Sequence, residues 1–302
     1  MLNEATARAA LETAAQSLPA YPGGFTGRGI VICGGGPQYF PPAWVNMRML
    51  RHLGCTLPIE LWHLGPDELS GSMRTLATSL GGVTCVDAFE VARRQQARVG
   101  GGWELKCYAL LQSRFREVLL LDADNIAVVE PSFLFDTAQY LEAHAVFWPD
   151  REPLPREHLI WQLTGVDYRG DVLFETGQIL VDKQWCWREL SLAWWMNERS
   201  DFWYRYILGD NKTLHLAWRK LDTSYAMPPF PPKDVRGIGM FQHDFDGRRI
   251  LQHRCSDKLT FGLITHCDDF LFEKECSEFV RELRERWLAL ESAPAVRAPS
   301  AG

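Results

Sequence analysis

The run EVLLLDADN at residues 117–125 decides the fold, because two carboxylates follow directly on a short apolar strand. Its four consecutive apolar residues, 118–121, are typical of a strand buried on both faces of a parallel sheet. Ligands of open α/β sheets bind beyond the carboxyl ends of such strands. The run therefore predicts an α/β fold with a binding site at Asp122 and Asp124.

Short apolar runs alternate with helical segments on both sides of this strand, which predicts a mostly parallel central sheet flanked by helices. We expect further strands at 29–33, 59–64, 83–86, 178–181 and 250–253. We expect helices at 4–17, 42–53, 67–80 and 104–115, a tryptophan-rich helical region at 185–203, and a closing helix that includes 279–290. Since the sequence contains no internal repeat or linker, one domain is predicted at 28–291, between an N-terminal helix and lead-in at 1–27 and a disordered tail at 292–302.

The charge balance argues against nucleic acid as a partner. The chain carries 32 basic and 38 acidic residues, a net charge of -6, with no long run of either sign. Binding to phosphate backbones requires a concentrated basic surface. A local pocket for one small anionic ligand remains compatible with this composition.

The eight cysteines are scattered and form no CxxC pair, so a zinc ribbon is not expected. Several of them, for example Cys33 and Cys85, lie within apolar runs, where cysteine behaves as a small buried hydrophobic residue. The sequence shows no export signal and no apolar run of membrane-spanning length. We therefore expect a reducing, cytoplasmic setting and no transmembrane segment.

Asp122 and Asp124 are one residue apart on a chain that leaves its strand, so they can share one divalent cation. Mg²⁺ and Mn²⁺ prefer oxygen ligands and keep sites open for substrate phosphates. Such a cation stabilises a nucleoside diphosphate as it leaves a sugar. The alternative is an ordinary surface turn, in which aspartate is common.

A phosphatase of the haloacid dehalogenase type is a rival interpretation of the same two aspartates. In that class the first aspartate attacks phosphorus, and the motif usually opens the fold. Here the motif follows at least three predicted strands, and Ile126 stands where that class carries Thr or Val. The sequence therefore favours metal-assisted sugar transfer over the phosphatase interpretation.

Several motifs in register resemble the family of the fungal Golgi α-mannosyltransferases of the Mnn type. They are LKCYALL at 105–111, EVLLLDADN at 117–125, FWPD at 147–150, ETGQ at 175–178, GDNK at 209–212 and QHD at 242–244. The resemblance covers roughly residues 28–255. It implies a GT-A (Rossmann-like) fold, a divalent metal that is usually manganese, and retaining transfer of mannose from GDP-mannose. A UDP-sugar donor is the alternative. We expect this chain to be without the membrane anchor and stem of the fungal enzymes.

More distantly, the layout is similar to the glycogenin-like glycosyltransferases and the bacterial galactosyltransferases. The run FETGQILV at 174–181 stands in the place of their Asn-Ala-Gly strand start. Asp210 matches a later aspartate, and His253 with Lys258 resembles their closing His/Lys pair.

Donor-binding candidates come from three places along the chain. Gly34, Gly35 and Gly36 follow the first strand and would allow a nucleotide to approach the backbone closely, unless they form a plain turn. Tyr39 is a candidate for stacking on the base. By its place in the matched motif, Lys106 is expected to contact donor phosphate or sugar; the alternative is a solvated helix face.

Catalytic candidates are Glu175, Gln178 and Asp210. Glu175 and Gln178 flank a glycine at a strand start, where a carboxylate or amide would stabilise an oxocarbenium-like transition state. Asp210 would bind hydroxyls, or act as a base if the enzyme inverts; its alternative is a helix N-cap. Lys212 would pair with Asp210 or with phosphate.

For a third metal ligand, His253 at the end of an apolar run is the first choice and His243 the second. A dense group of tryptophans is expected to be mostly core, with one or two as a candidate platform for an acceptor sugar. The group comprises Trp185, Trp187, Trp194, Trp195 and Trp203. The acceptor is expected to be a glycan or a small molecule. A degenerate relative that binds nucleotide or glycan without catalysis is the alternative from another class.

Overall fold

The computed structural model describes residues 2–95, 97–235, 237–262 and 264–292. The strands are β1 (Arg28–Cys33), β2 (Ile59–His63), β3 (Val83–Asp87), β4 (Glu117–Asp122), β5 (Asn125–Ala127), β6 (Ala145–Pro149), β7 (Phe174–Asp182), β8 (Lys233–Val235), β9 (Gly239–His243) and β10 (Arg249–His253). The helices are α1 (Glu4–Gln16), α2 (Gly36–His52), α3 (Gly71–Thr78), α4 (Ala88–Gln95), α5 (Glu104–Gln112), α6 (Ala138–Ala143), α7 (Ile160–Thr164), α8 (Lys183–Asn197), α9 (Ser200–Trp203), α10 (Asp210–Leu221) and α11 (Glu273–Ser292), with a 3-10 helix at Pro131–Asp136. The predicted tail lies outside the described residues except for Ser292, which ends α11.

The central sheet has six strands in the order β3-β2-β1-β4-β7-β6, and only β7 runs antiparallel to its neighbours. This confirms the predicted mostly parallel α/β sheet. The chain builds outward from β1 to β2 and β3 on one side, then returns to place β4 on the other. Ligands of such sheets bind where the strand order reverses. That point lies between Cys33 and Asp122, which pair across the ends of β1 and β4.

Strand β4 is buried on both faces, as its apolar run predicts. Leu119 and Leu121 face a core layer formed with α2, α3 and α11. Val118 and Leu120 face the opposite layer, which is formed with α1, α5, α8 and α10. Each Å² of buried apolar surface stabilises the fold by about 25 cal/mol, so burial on both faces holds the strand firmly in place. Its carboxyl end is therefore a rigid base for the residues that follow.

A second sheet of four antiparallel strands, in the order β5-β10-β9-β8, lies beyond the end of β4. Three-residue β5 follows β4 after a two-residue turn and pairs with β10, so that Asn125 stands opposite His253. The sequence predicts β10 but not its partners β5 and β9, nor β8 beyond them; β5 and β8 have only three residues each, too few to show a period of two. This sheet brings the C-terminal region to the site of the two aspartates.

Helix α2 begins at Gly36 rather than at 42, and Pro41 and Pro42 lie inside it. Proline favours the first turn of a helix, which is why the predicted start is late. The helix continues through the two prolines because its residues around Trp44 are buried in the core. Helix α3 is shorter than predicted, since Ser70 caps it by accepting a hydrogen bond from the Met73 amide. Every described helix is too short or too polar to cross a bilayer.

Lys183 is a fully buried lysine at the start of α8. Its Nζ donates to the carbonyl oxygens of Leu111 and Ser113, at 3.2 and 2.6 Å, and so caps the end of α5. Burial lowers the pKa of Lys183 to about 7. The ammonium form is therefore disfavoured in the folded chain relative to the unfolded one, where lysine titrates near 10.4.

This lowered pKa makes stability depend on pH. Between pH 7 and about 10 the unfolded chain binds more protons at Lys183, so its contribution to the free energy of unfolding rises with pH. The measurement is the free energy of unfolding in urea at pH 7 and at pH 9. From pH 7 to pH 9 it is expected to rise by about 2 kcal/mol more for the wild type than for Lys183→Met. A difference between the two proteins that does not change with pH would contradict this assignment.

Candidate active site

Three side chains from two sheets converge at the end of β4. Asp122 ends β4, Asp124 lies in the turn to β5, and His253 ends β10. One ligand atom from each lies within 4.8 Å of the others. His253 Nε2 is 3.1 Å from Asp124 Oδ1 and 3.9 Å from Asp122 Oδ2. The structure thus assembles the predicted metal ligands, with His253 as the third.

The chemistry of this cluster fits a hard divalent cation. Two carboxylates and one imidazole suit Mn²⁺ or Mg²⁺, whereas the softer metals select thiolates. Burial raises the pKa of Asp122, although Lys106 and His253 oppose the shift. Burial also opposes ionisation of Asp124, but His253 and Lys258 hold the pKa of that carboxyl below its usual range. A divalent cation bound here would take over from the His253 proton and the Lys258 ammonium group in balancing the two carboxylates.

Glu175 lies behind His253 rather than in front of it. Its Oε1 is 3.5 Å from His253 Nδ1 and accepts a hydrogen bond of 2.8 Å from the Gly177 amide. Burial disfavours protonation of His253, but Asp124 and Glu175 raise its pKa well above the usual value. A carboxylate on the far nitrogen of a ligating histidine fixes the orientation of the ring. The structure therefore gives Glu175 a positioning role instead of the predicted contact with sugar.

Gly177 makes this arrangement possible because it lies against the imidazole. A Cβ atom at position 177 would lie 2.6 Å from His253 Nδ1 and 2.9 Å from Glu175 Oε1. Any side chain there would displace the ring. The glycine of the predicted strand start is thus required by close packing and not by its backbone angles.

Gly177→Ala is expected to weaken Mn²⁺ binding about 10- to 100-fold, the usual cost of disturbing the support of a metal ligand. Titration of Mn²⁺ in the presence of GDP, followed by electron paramagnetic resonance, measures this directly. Gly71→Ala is the matched control, because a Cβ at that position meets nothing within 4 Å. Equal Mn²⁺ affinity in Gly177→Ala and the wild type would contradict the proposed packing.

Lys106 is a buried cation between two carboxylates, not a solvated residue on a helix face. Its Nζ lies 3.1 Å from Asp122 Oδ1 and 3.2 Å from Asp210 Oδ1, and it donates to the Thr176 carbonyl at 3.3 Å. Burial disfavours the charged form of Lys106, but Asp122 and Asp210 raise its pKa above the usual value. Burial raises the pKa of Asp210 to about 6, against the opposing charge of Lys106. Asp210 is the first residue of α10, and the cap position belongs to Gly209.

A main cleft of about 700 Å³ opens above these residues. Gly34, Tyr39, Lys106, Asp122, Asp124 and Lys258 all line it, as does His253. Lys258 Nζ pairs with Asp124 Oδ2. A volume of this size accommodates a nucleoside diphosphate attached to a sugar. Most of the predicted donor-binding residues therefore face one cavity.

Comparison with known proteins finds a family model that matches part of this site. The family described as "Mannosyltransferase putative" matches residues 27–164, a little less than half of the chain, which include β4 and both aspartates. The motifs at 175–178, 209–212 and 242–244 lie beyond the matched segment.

Curated relatives extend the similarity to most of the chain. The α-1,2-mannosyltransferase MNN2 of Saccharomyces cerevisiae is 24% identical over 84% of this chain and 52% of its own length. The α-1,2-mannosyltransferase MNN24 of Candida albicans is 28% identical over 66% of this chain and 34% of its own length. The chain thus spans about half or less of the relatives it matches.

Solved structures confirm the GT-A fold. An active-site mutant of LgtC superposes with a TM-score of 0.54 at 14% identity, covering 84% of this chain and 95% of the LgtC chain. The galactosyltransferase LgtC with donor and acceptor sugar analogs gives a TM-score of 0.50 at 13% identity, covering 88% and 98% of the two chains. At these identities the likeness concerns the fold alone.

Gln178 does not reach the main cleft. It is fully buried, where its Nε2 donates to Gln242 at 2.7 Å and its Oε1 accepts from Asn125. Gln242 in turn donates to the Pro149 carbonyl at 3.2 Å. Gln178 therefore joins the two sheets, and the predicted catalytic contact is wrong in this structure.

His243 and Lys212 also lie away from the metal cluster. His243 pairs with Arg249 at the opposite end of β10 from His253. Four residues at about 3.3 Å each separate the two histidines by roughly 13 Å, so His243 is not a ligand of this cluster. Lys212 Nζ donates to Asn211 at 3.2 Å rather than pairing with Asp210.

Gly35 and Gly36 shape the loop beside the cleft instead of lining it. A Cβ at Gly35 would lie 2.6 Å from Glu68 Cγ, and the Gly36 amide donates to the Glu68 carbonyl. Of the predicted tryptophans, Trp187 and Trp203 are buried in the core, and exposed Trp185 stacks on His144. Among the described residues, none of the five tryptophans that were candidates for an acceptor platform lines the cleft.

Sequence reasoning missed two aromatic residues of the main cleft, Trp103 and Tyr204. Their rings lie 6.2 Å apart, edge to face, and Trp103 is 48% exposed. Trp103 also packs on Gly209, the residue before Asp210. The run of three glycines at 100–102 is a signal for this loop in the sequence, but it does not indicate where the loop lies.

Proposed function

We propose that this chain is a retaining glycosyltransferase that moves mannose from GDP-mannose to an acceptor hydroxyl. The observation that carries the proposal is the convergence of Asp122, Asp124 and His253 on the floor of the main cleft. The named activity of the α-1,2-mannosyltransferase relatives supports mannose as the sugar. A UDP-sugar is the alternative donor in the same cleft.

We propose Mn²⁺, or Mg²⁺ in its place, as the cation held by Asp122, Asp124 and His253. When bound, it would supply the positive charge that stabilises a diphosphate leaving group. Lys258 pairs with Asp124 and faces the cleft, so its ammonium group is free to move to a phosphate oxygen. Lys106 holds Asp122 and Asp210 in place and keeps the floor of the cleft from accumulating uncompensated charge.

The sugar is expected to lie beside Lys106 and the aromatic pair Trp103 and Tyr204, all of which line the cleft. Trp103 packs on the residue before Asp210 and is well exposed, so its ring offers an apolar face to an acceptor glycan or small molecule. In the proposed reaction the acceptor hydroxyl attacks the same face of the sugar from which the diphosphate departs. A phosphate oxygen of the leaving group accepts the hydroxyl proton, and the buried Asp210 acts through Lys106, which it holds in place at the cleft.

A panel of nucleotide-sugars with Mn²⁺ tests this proposal. Thermal shift and donor hydrolysis are expected to select GDP-mannose over UDP-glucose and UDP-galactose, and product NMR to show an α linkage. Selection of a UDP-sugar would replace the donor but keep the reaction class. Binding without hydrolysis or transfer would favour a non-catalytic relative.

We further propose a reducing, cytoplasmic setting for the chain. All eight cysteines are free thiols, and five of them are buried. Buried thiols of this kind fit a compartment in which disulfides do not form. Fractionation of cells that produce a tagged chain tests the location, and recovery from an oxidising secretory compartment would contradict it.

A further inference from the structure

Glu68 places a carboxylate in the lining of the main cleft and is not a member of the metal cluster. It follows β2 and lines the cleft together with Gly34, Tyr39 and Leu64. Its side chain packs on the glycine loop, where a Cβ at Gly35 would lie 3.1 Å from Glu68 Cδ. The glycine loop thus leaves room for this carboxylate beside the cavity.

The carboxylate of Glu68 is held in one orientation but can still accept further hydrogen bonds. Its Oε2 accepts a hydrogen bond from the Leu64 amide. Within the part of the chain that the structure describes, its Oε1 accepts no hydrogen bond and Glu68 has no ion-pair partner. A carboxylate has about four lone-pair sites, so both oxygens retain acceptor capacity toward a ligand.

A nucleotide whose diphosphate lies at the metal cluster would direct its base toward the strand ends that precede Glu68. The ends of β2, β1 and β4 are neighbours in the sheet. Two strand spacings of about 4.8 Å separate the residues after β2 from Asp122 by roughly 10 Å. This is about the distance from the base to the phosphates in a nucleoside diphosphate. The exposed ring of Tyr39 also lines the cleft, 5.5 Å from Lys258 Nζ, and so flanks the path between Asp124 and Glu68.

Guanine and uracil present different arrangements of hydrogen-bond donors and acceptors to a carboxylate. The guanine edge carries two adjacent donors, N1–H and the 2-amino group, which match the two oxygens of a carboxylate. The uracil edge carries one donor between two carbonyl oxygens, which a carboxylate repels. We propose that Glu68 recognises the guanine base through these two donors and sets the preference for GDP over UDP. The inference rests on the proposed function, since it concerns the donor of that reaction.

Nucleotide binding in the presence of Mn²⁺, measured by isothermal titration calorimetry with GDP, IDP and UDP, tests the proposal. IDP lacks the 2-amino group and so removes one of the two donors. A charge-assisted hydrogen bond corresponds to about 10- to 100-fold in affinity. The wild type is expected to bind GDP more tightly than IDP by that factor, and UDP more weakly than both.

Glu68→Gln should weaken GDP binding about 10- to 100-fold and bring the GDP and IDP affinities together, with little change for UDP. The glutamine oxygen still accepts from the Leu64 amide, so the loop is expected to fold. Asp67→Asn, which removes an exposed neighbouring charge, serves as the matched control and should bind GDP like the wild type.

Equal losses for GDP, IDP and UDP in Glu68→Gln would show that Glu68 supports only the loop, and the proposal would fail. Tighter binding of UDP than GDP to the wild type would overturn it as well. If none of the three nucleotides binds the wild type with Mn²⁺, the proposed function fails together with the inference. Binding of GDP with an unchanged GDP-to-IDP ratio in the variant leaves the proposed function standing and rejects the role of Glu68.

Discussion

Asp124→Asn is expected to reduce Mn²⁺-dependent mannosyl transfer at least about 1000-fold, because stabilisation of a leaving group by a bound cation is worth several kcal/mol. Asp124 is the one aspartate of the pair that contacts both His253, at 3.1 Å, and Lys258. The amide keeps the shape of the carboxylate but not its charge. Initial rates with GDP-mannose at saturating Mn²⁺ provide the measurement.

Two further measurements make this result specific to the site. Asp246→Asn changes an aspartate in the exposed turn between β9 and β10, the strand that carries His253, and should retain full activity. Thermal unfolding should show that Asp124→Asn remains folded. Near-normal turnover by a folded Asp124→Asn would refute the metal-assisted scheme.

Lys106→Met should lower the free energy of unfolding by about 3 kcal/mol, the usual cost of leaving a buried charge without its partner. Lys106 is 8% exposed and contacts both Asp122 and Asp210, so its loss leaves two buried carboxylates facing each other. Urea unfolding of Lys106→Met, of Asp210→Asn and of the double variant gives the coupling free energy between the two residues. The double variant is expected to lose less than the sum of the two single losses.

Lys212→Met is the matched control on α10, because Lys212 Nζ contacts only the neighbouring Asn211 side chain in the described structure. It should change stability by about 0.5 kcal/mol or less. Additive effects of the Lys106 and Asp210 substitutions would show that the two residues do not act as a buried pair.

The parallel core and the two aspartates were predictable because the signal is local. Four apolar residues define β4, and their burial on both faces leaves Asp122 at the strand end. His253 was identified as a candidate, but its contact with Asp124 joins residues 129 apart in the sequence. That contact depends on the pairing of β5 with β10, and a three-residue strand carries almost no periodic signal.

The wrong predictions have a common physical origin. Gln178 begins a predicted strand and His243 ends β9, a strand that the sequence does not predict; in both cases sequence alone does not tell which face or which end meets the site. In the structure, Gln178 points between the two sheets and His243 lies at the far end of the hairpin. Trp103 reaches the cleft through a loop whose path is set by packing on Gly209, a contact that no local pattern encodes.

The pairing of β5 with β10 also has a consequence for the order in which the chain is synthesised. A ribosome releases both aspartates long before it releases the imidazole that completes the cluster. A nascent or truncated chain that ends before β10 still contains Lys106 as a partner for Asp122 but lacks His253 and Lys258, the two partners of Asp124. The proposed cation would therefore bind tightly only near the end of translation, and its binding would report on completion of the domain.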